Sequence, residues 1–221
     1  MLDTDWSSGW RGAFKIELRA EAIGLAWRGW PVLPGTYPDT AAPADDSAGW
    51  TIPVPEHEDW QDRLGAHPQQ IAEWFTGDPH SLLVATGRVL DAVEVDDDLG
   101  RRAARLLRAT GQPAPIVAMP NGRWLFLTTV AAQLPAELDE RGTVRCHGEG
   151  SWIPLPPTPF QHGVVHWRVK PEVWGWQLPE ADAVHAVLIE ALAGPEPEEA
   201  TTAPVTSAAA RRLLTVHRSA A

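Results

Sequence analysis

Residues 82–110 have the sequence LLVATGRVLDAVEVDDDLGRRAARLLRAT, which carries the signals of two strands and a helix. The first run is largely apolar and ends at Gly87, which is typical of a buried strand. Residues 92–96 alternate between apolar and acidic side chains and predict a second strand. Residues 99–110 have the pattern of a helix and are followed by a glycine, a common helix terminator.

Similar patterns on both sides of this stretch predict further helices and strands. Helices are predicted over residues 14–28, 68–75 and 179–192, and strands over residues 30–34, 116–119, 124–129, 151–155 and 164–169. A Pro-Asn-Gly turn at residues 120–122 joins two of these strands into a hairpin. This order of elements predicts an α+β fold, with a central mixed sheet flanked by helices.

The length of the chain favours one main domain, which we place over residues 13–192. We expect the residues before it to form a loose arm. Residues 35–55 are rich in Pro, Asp, Ala, Ser and Gly, which predicts a surface loop. Residues 193–221 have the composition of a linker and predict a flexible tail, with a short helix over residues 208–216.

The overall charge is acidic. The 221 residues include 18 Lys and Arg against 29 Asp and Glu, a formal net charge of −11. This balance excludes a global electrostatic attraction for nucleic acid or an anionic membrane, although a local basic groove could still exist. The single cysteine excludes an internal disulfide framework. Because we find neither an apolar run of about eighteen residues nor a secretory signal, we expect a cytoplasmic protein with no membrane partner.

The second predicted strand carries two carboxylates, Glu94 and Asp96. Residues two apart on a strand point to the same face, so the two side chains would project together from the sheet. Paired carboxylates suit Mg²⁺ or Mn²⁺, which prefer oxygen ligands and assist phosphoryl transfer. The alternative is a solvated acidic turn that leads into the next helix, with Asp97 or Asp98 as its N-cap. Spacing alone favours the acidic turn.

Several segments together resemble one known family. They are residues 22–34 (AIGLAWRGWPVLP), 67–75 (HPQQIAEWF), 83–88 with 92–96 (LVATGR and AVEVD), 120–126 (PNGRWLF), 144–157 (VRCHGEGSWIPLPP) and 163–169 (GVVHWRV). In this order they resemble the bifunctional DNA primase/polymerase N-terminal domain, the prim-pol domain of the archaeo-eukaryotic primase superfamily. The resemblance covers most of the chain and implies a primase/polymerase-like fold.

The resemblance also implies roles for individual residues. Glu94 and Asp96 correspond to the first catalytic motif, whose acids hold Mg²⁺ or Mn²⁺. A nucleotide-binding role is implied for the residues of the second and third motifs, which are Gly122, Arg123, Trp124 and Arg145. If active, the chain would be a metal-dependent nucleotidyltransferase, with a nucleoside triphosphate or nucleic acid as its partner.

The sequence departs from the family pattern at the positions that carry the chemistry. Glu94 replaces the usual first Asp, and Trp124 stands where the family has a phosphate-contacting His. The third metal-binding acid falls near Thr143, which has no carboxylate. His147 and Glu149 lie nearby, but the sequence does not say where their side chains point.

Three functions remain open. The first-ranked is a degenerate primase/polymerase-like domain that binds nucleotide or nucleic acid, with weak or no polymerase activity. The second is an active minimal metal-dependent DNA primase/polymerase. The third is an acidic protein-interaction module without nucleotide binding, which would use a protein partner and the Arg-containing tail at residues 211–218.

Overall fold

A computed structural model describes residues 4–38, 52–111, 114–131, 133–160 and 162–194, with side chains from residue 14 onward. Most of the predicted surface loop and almost all of the predicted tail, including its short helix and the arginines at residues 211–218, lie outside the described residues.

The described residues form five α-helices and two short 3₁₀ turns. The helices are α1 (Thr4–Trp27), α2 (Pro68–Trp74), α3 (Asp97–Ala109), α4 (Ala136–Asp139) and α5 (Ala181–Ala193). The 3₁₀ turns cover Trp60–Arg63 and Pro171–Trp174. None of the helices in these described ranges combines the length and apolar character needed to cross a bilayer.

The described residues also form ten strands, and the predicted α+β class is confirmed. The strands are β1 (Val32–Gly35), β2 (Ser81–Ala85), β3 (Asp91–Asp96), β4 (Ile116–Ala118), β5 (Arg123–Thr128), β6 (Arg145–His147), β7 (Trp152–Pro154), β8 (Pro159–Phe160), β9 (Gly163–Val164) and β10 (His166–Val169).

The strands form separate antiparallel sheets, which differs from the predicted single mixed sheet. The order is β1-β2-β7 in a three-stranded sheet, β10-β4-β5-β3-β6 in a five-stranded sheet, and β8-β9 in a small ribbon. All the pairings in the described part are antiparallel. The reason lies in the β4–β5 hairpin, which inserts β5 between β3 and β4. The two strands that α3 connects therefore never become parallel neighbours.

Two large apolar clusters lie on opposite faces of the five-stranded sheet. The first joins Ala92, Leu125 and Leu127 of this sheet to residues of the three-stranded sheet, α1 and α2. The second joins Val93, Val95, Trp124 and Phe126 to α3 and α5. Because neighbouring residues of a strand point to opposite faces, cluster membership shows which side chains face which layer.

Some boundaries differ from the sequence-based expectations. Helix α1 begins at Thr4, so the prediction of a loose arm before residue 13 was wrong. Once a helix has nucleated, each added residue gains a hydrogen bond, and the helix can extend past its apolar face.

The predicted strand over residues 164–169 is divided at Val165, which is buried between β9 and β10. Strand β6 and helix α4 were not predicted, since each has only three or four residues.

Candidate functional site

Strand β3 places both predicted carboxylates on one face of the five-stranded sheet. Glu94 and Asp96 alternate with Val93 and Val95, which pack into the second apolar cluster under α3 and α5. The two acidic side chains therefore project to the opposite face, which is the shared orientation that their spacing predicts.

The neighbouring strands bring basic side chains to the same face. In the β3–β5 register Arg123 lies opposite Asp96. In the β3–β6 register Arg145 lies opposite Glu94, and His147 lies opposite Ala92. Residues directly opposite each other on paired strands share a face. We call Glu94, Asp96, Arg123, Arg145 and His147 the polar cluster.

Glu94 is the buried centre of the polar cluster, with only 3% of the residue exposed. Its Oε1 accepts a hydrogen bond from Nε of Arg123 at 2.7 Å, and its Oε2 lies 2.8 Å from Nε2 of His147. Arg123 also donates through Nη2 to the carbonyl of Thr143. Nδ1 of His147 lies 3.3 Å from the Ser151 hydroxyl, which helps to orient the ring. Both carboxylate oxygens of Glu94 thus have partners within the protein.

These partners keep Glu94 ionised. Burial alone would raise the pKa of Glu94, but the hydrogen bonds and charges of His147 and Arg123 outweigh it and lower that pKa from 4.5 to about 2. The carboxylate is therefore an anion at neutral pH, held by an ion pair with Arg123 and a close contact with the His147 ring.

Asp96 has a structural role at the start of α3. Its Oδ1 accepts a hydrogen bond from the backbone N–H of Leu99 at 2.8 Å, so Asp96 is the N-cap. The prediction that Asp97 or Asp98 would be the cap was therefore wrong by one or two residues. Asp97 instead forms an ion pair with Arg101 inside the first turn of the helix.

Trp124 is not part of the polar cluster. It lies on the other face of the sheet, is 6% exposed and belongs to the second apolar cluster. A Cβ added at Gly100 of α3 would lie 2.8 Å from its indole ring, and the Arg168 guanidinium stacks 4.9 Å from the ring centroid. Gly122 lies in the β4–β5 turn with φ +76°, where its N–H donates to Met119.

The donor set does not fit a divalent metal ion. Both oxygens of Glu94 are engaged by Arg123 and His147, and one oxygen of Asp96 caps a helix. Mg²⁺ demands several oxygen ligands in near-octahedral geometry. Within the described ranges, no group of three or more His, Cys, Asp or Glu side chains is placed to hold a metal.

Sequence reasoning named His147 as a nearby residue but left open where its side chain points. The signal that could have found it is the spacing of Arg145 and His147, which are two residues apart and therefore share a face if they lie on a strand. That strand, β6, has only three residues, of which two are exposed, so it lacks the apolar pattern that identifies a strand.

The fold and the polar cluster define an α+β domain with carboxylates on a central strand of its larger sheet. A family model described as bifunctional DNA primase/polymerase, N-terminal, matches residues 22–183, a span that contains all ten strands. The match covers well over half of the chain, which therefore belongs to this family and has a primase/polymerase-like, nucleic-acid-related function. Members of the family generally depend on a metal and bind nucleotides or nucleic acid. No curated protein matches the sequence.

Proposed function

We propose that this protein is a degenerate primase/polymerase-like domain that binds a nucleotide or nucleic acid and has weak or no polymerase activity. The observation that carries the proposal is the state of Glu94. The carboxylate that would have to ligate a metal is held by Arg123 and His147 at 2.7 and 2.8 Å.

Polymerisation by two metal ions needs several acids with free oxygens around one point. Thr143 offers no carboxylate, and its carbonyl accepts a hydrogen bond from Arg123. A metal at Glu94 would have to displace the guanidinium of Arg123, whose side chain is only 20% exposed. Metal binding would therefore have to compete with an ion pair that is largely shielded from solvent.

Ligand binding is supported by the cations of the same cluster. The Arg145 side chain is exposed, and in the part of the chain that the structure describes it has no acidic partner. A guanidinium presents a planar set of donors that matches the oxygens of a phosphate group. The cluster therefore offers guanidinium donors to a phosphate, although the formal net charge of the whole chain is −11.

Primer extension with Mg²⁺ or Mn²⁺, run beside a nucleotide-binding assay on the same preparation, tests the proposal. We expect binding with little or no extension. The informative variants are Asp96→Asn, which keeps a good N-cap, and Asp98→Asn, which makes the same charge change on an exposed residue of the first turn. If primer extension is robust, and if Asp96→Asn abolishes it while Asp98→Asn preserves it, the protein is an active polymerase instead.

A further inference from the structure

We propose that the polar cluster binds the phosphate groups of its ligand directly through Arg145 and Arg123, without a divalent cation. The inference rests on the proposed nucleotide- or nucleic-acid-binding function and concerns how the same site recognises its ligand. It assigns the task of neutralising the phosphates to the protein's own guanidinium groups.

Arg145 lies beside Glu94 without pairing with it. In the β3–β6 register Arg145 lies directly opposite Glu94, so its side chain starts from the same face about 5 Å away. Glu94 does not pair with it, because both oxygens of Glu94 are already bound to Arg123 and His147. Arg145 is thus an exposed cation beside a carboxylate whose charge is already directed elsewhere.

Arg123 keeps N–H donors that no group of the described residues uses. Its Nε donates to Glu94 and its Nη2 donates to the carbonyl of Thr143. Its Nη1 has no partner among the described residues, and the side chain is partly exposed. Arg123 and Arg145 lie on the two strands that flank β3, with both side chains on the same face of the sheet. Long guanidinium side chains that converge from two such strands can offer several N–H donors to a single phosphate.

The polar cluster combines both signs of charge. It contains two carboxylates and two guanidinium groups, of which only Arg123 is paired with Glu94, so Arg145 remains available to an anionic ligand. A site made only of carboxylates would repel a triphosphate until metal ions bound. This cluster has its own guanidinium groups, so a triphosphate can bind there without prior binding of metal ions.

Calorimetric titration of the full chain with dATP, and separately with inorganic tripolyphosphate, tests the inference. Each titration is run once with EDTA and once with Mn²⁺. We expect dissociation constants that agree within about twofold between the two conditions, and no tight binding of Mn²⁺ alone. Binding of dATP that appears only with Mn²⁺ would overturn the inference and leave the proposed function intact. No binding in either condition, also with single-stranded DNA as the probe, would overturn both.

Substitution of Glu94 by Gln should change the nucleotide affinity in opposite directions, depending on whether the phosphates bind through a metal or directly through the guanidinium groups. If Glu94 holds a metal, Glu94→Gln weakens nucleotide binding. If the phosphates meet the guanidinium groups directly, Glu94→Gln strengthens binding about threefold or more, because it removes a negative charge and releases Arg123. Gln keeps the shape and one hydrogen-bond acceptor of Glu, and circular dichroism verifies that the variant is folded.

Arg145→Gln provides a second, independent test. We expect it to weaken binding about tenfold, the effect of losing one hydrogen bond to a charged group. Arg108→Gln is the matched control. Arg108 is exposed in the last turn of α3, and its substitution changes the net charge by the same amount. Equal affinities of the two variants would overturn the role of Arg145.

Discussion

At the scale of single residues, Gly87 illustrates how one position can allow only glycine. It follows β2 with φ +90°, and a Cβ there would lie 2.1 Å from the backbone Cα of Glu149. A left-handed backbone conformation costs an ordinary residue about 1–2 kcal/mol. At Gly87 a side chain would also clash with the backbone of Glu149, which would have to move.

Gly87→Ala should therefore lower the free energy of unfolding by clearly more than the conformational cost alone. The matched control is Gly77→Ala, because Gly77 has φ +95° and nothing within 4 Å of its added Cβ. We expect a loss of about 1–2 kcal/mol for Gly77→Ala and a larger loss for Gly87→Ala, measured by urea denaturation. Equal losses would show that the strand can move away from Glu149 at no cost.

His185 on α5 is a second residue whose surroundings lead to a testable effect. It is 2% exposed, and neither ring nitrogen has a hydrogen-bond partner among the described residues. Burial lowers the pKa of His185 below 6.5, and this effect exceeds the opposing influence of the Asp182 and Asp91 charges.

The sign of the pH dependence follows from this lowered pKa. Below pH 6.5 the unfolded chain takes up a proton at His185 while the folded chain resists it, so the folded state loses stability as the pH falls. His185→Leu removes the titrating group and the unsatisfied nitrogens. We expect the stability of His185→Leu to decline less between pH 7.5 and pH 5.5 than that of the natural chain, in urea denaturation series. Parallel declines would contradict this assignment.

At the scale of elements, the contact between α3 and β5 depends on a missing side chain. Gly100 lies in the first half of α3, where a Cβ would come within 2.8 Å of the Trp124 ring. The indole fills the space that a side chain at residue 100 would take, so helix and sheet approach closely.

Gly100→Ala should destabilise the protein despite the better helix propensity of alanine. Alanine gains about 1 kcal/mol in a helix interior, whereas overpacking a core costs about 1–3 kcal/mol. Gly24→Ala in α1 is the control, since its Cβ would meet only the flexible end of Arg28 at 3.6 Å. We expect a higher melting temperature for Gly24→Ala and a lower one for Gly100→Ala. A higher melting temperature for both would show that Trp124 adjusts freely.

At the scale of the whole molecule, the first apolar cluster connects the two larger sheets. It contains Leu82 and Val84 from the three-stranded sheet and Leu125 and Leu127 from the five-stranded sheet, together with residues of α1 and α2. Because both sheets bury their apolar faces in the same cluster, neither can unfold without exposing the other.

Leu125→Ala should therefore destabilise both sheets together. The side chain is fully buried, and truncation of a buried leucine costs about 2–5 kcal/mol. We expect the far-ultraviolet circular dichroism and tryptophan fluorescence transitions to coincide in the natural chain and to shift together in the variant. Separate transitions for the two probes would indicate that the sheets unfold independently.

Much of the candidate site was predictable because it depends on alternation along a strand. Glu94 and Asp96 were predicted to share a face, and Arg123 and Arg145 were named through the family resemblance; the structure brings all four together. Trp124, named on the same basis, lies on the opposite face of the sheet. Adjacent residues of β5 must point in opposite directions, and only the pairing with β3 decides which of Arg123 and Trp124 faces Glu94.

The α+β class, most helices and strands, and the carboxylate pair on β3 can be predicted from the sequence, since these depend on patterns within a few consecutive residues. The tertiary structure decided the sheet order and the register, because pairings between strands far apart in the chain depend on how the apolar faces pack. Through that register it placed Arg123 and His147 on the two oxygens of Glu94. The two partners of Glu94 lie 29 and 53 residues further along the chain, so no local sequence pattern could predict these contacts.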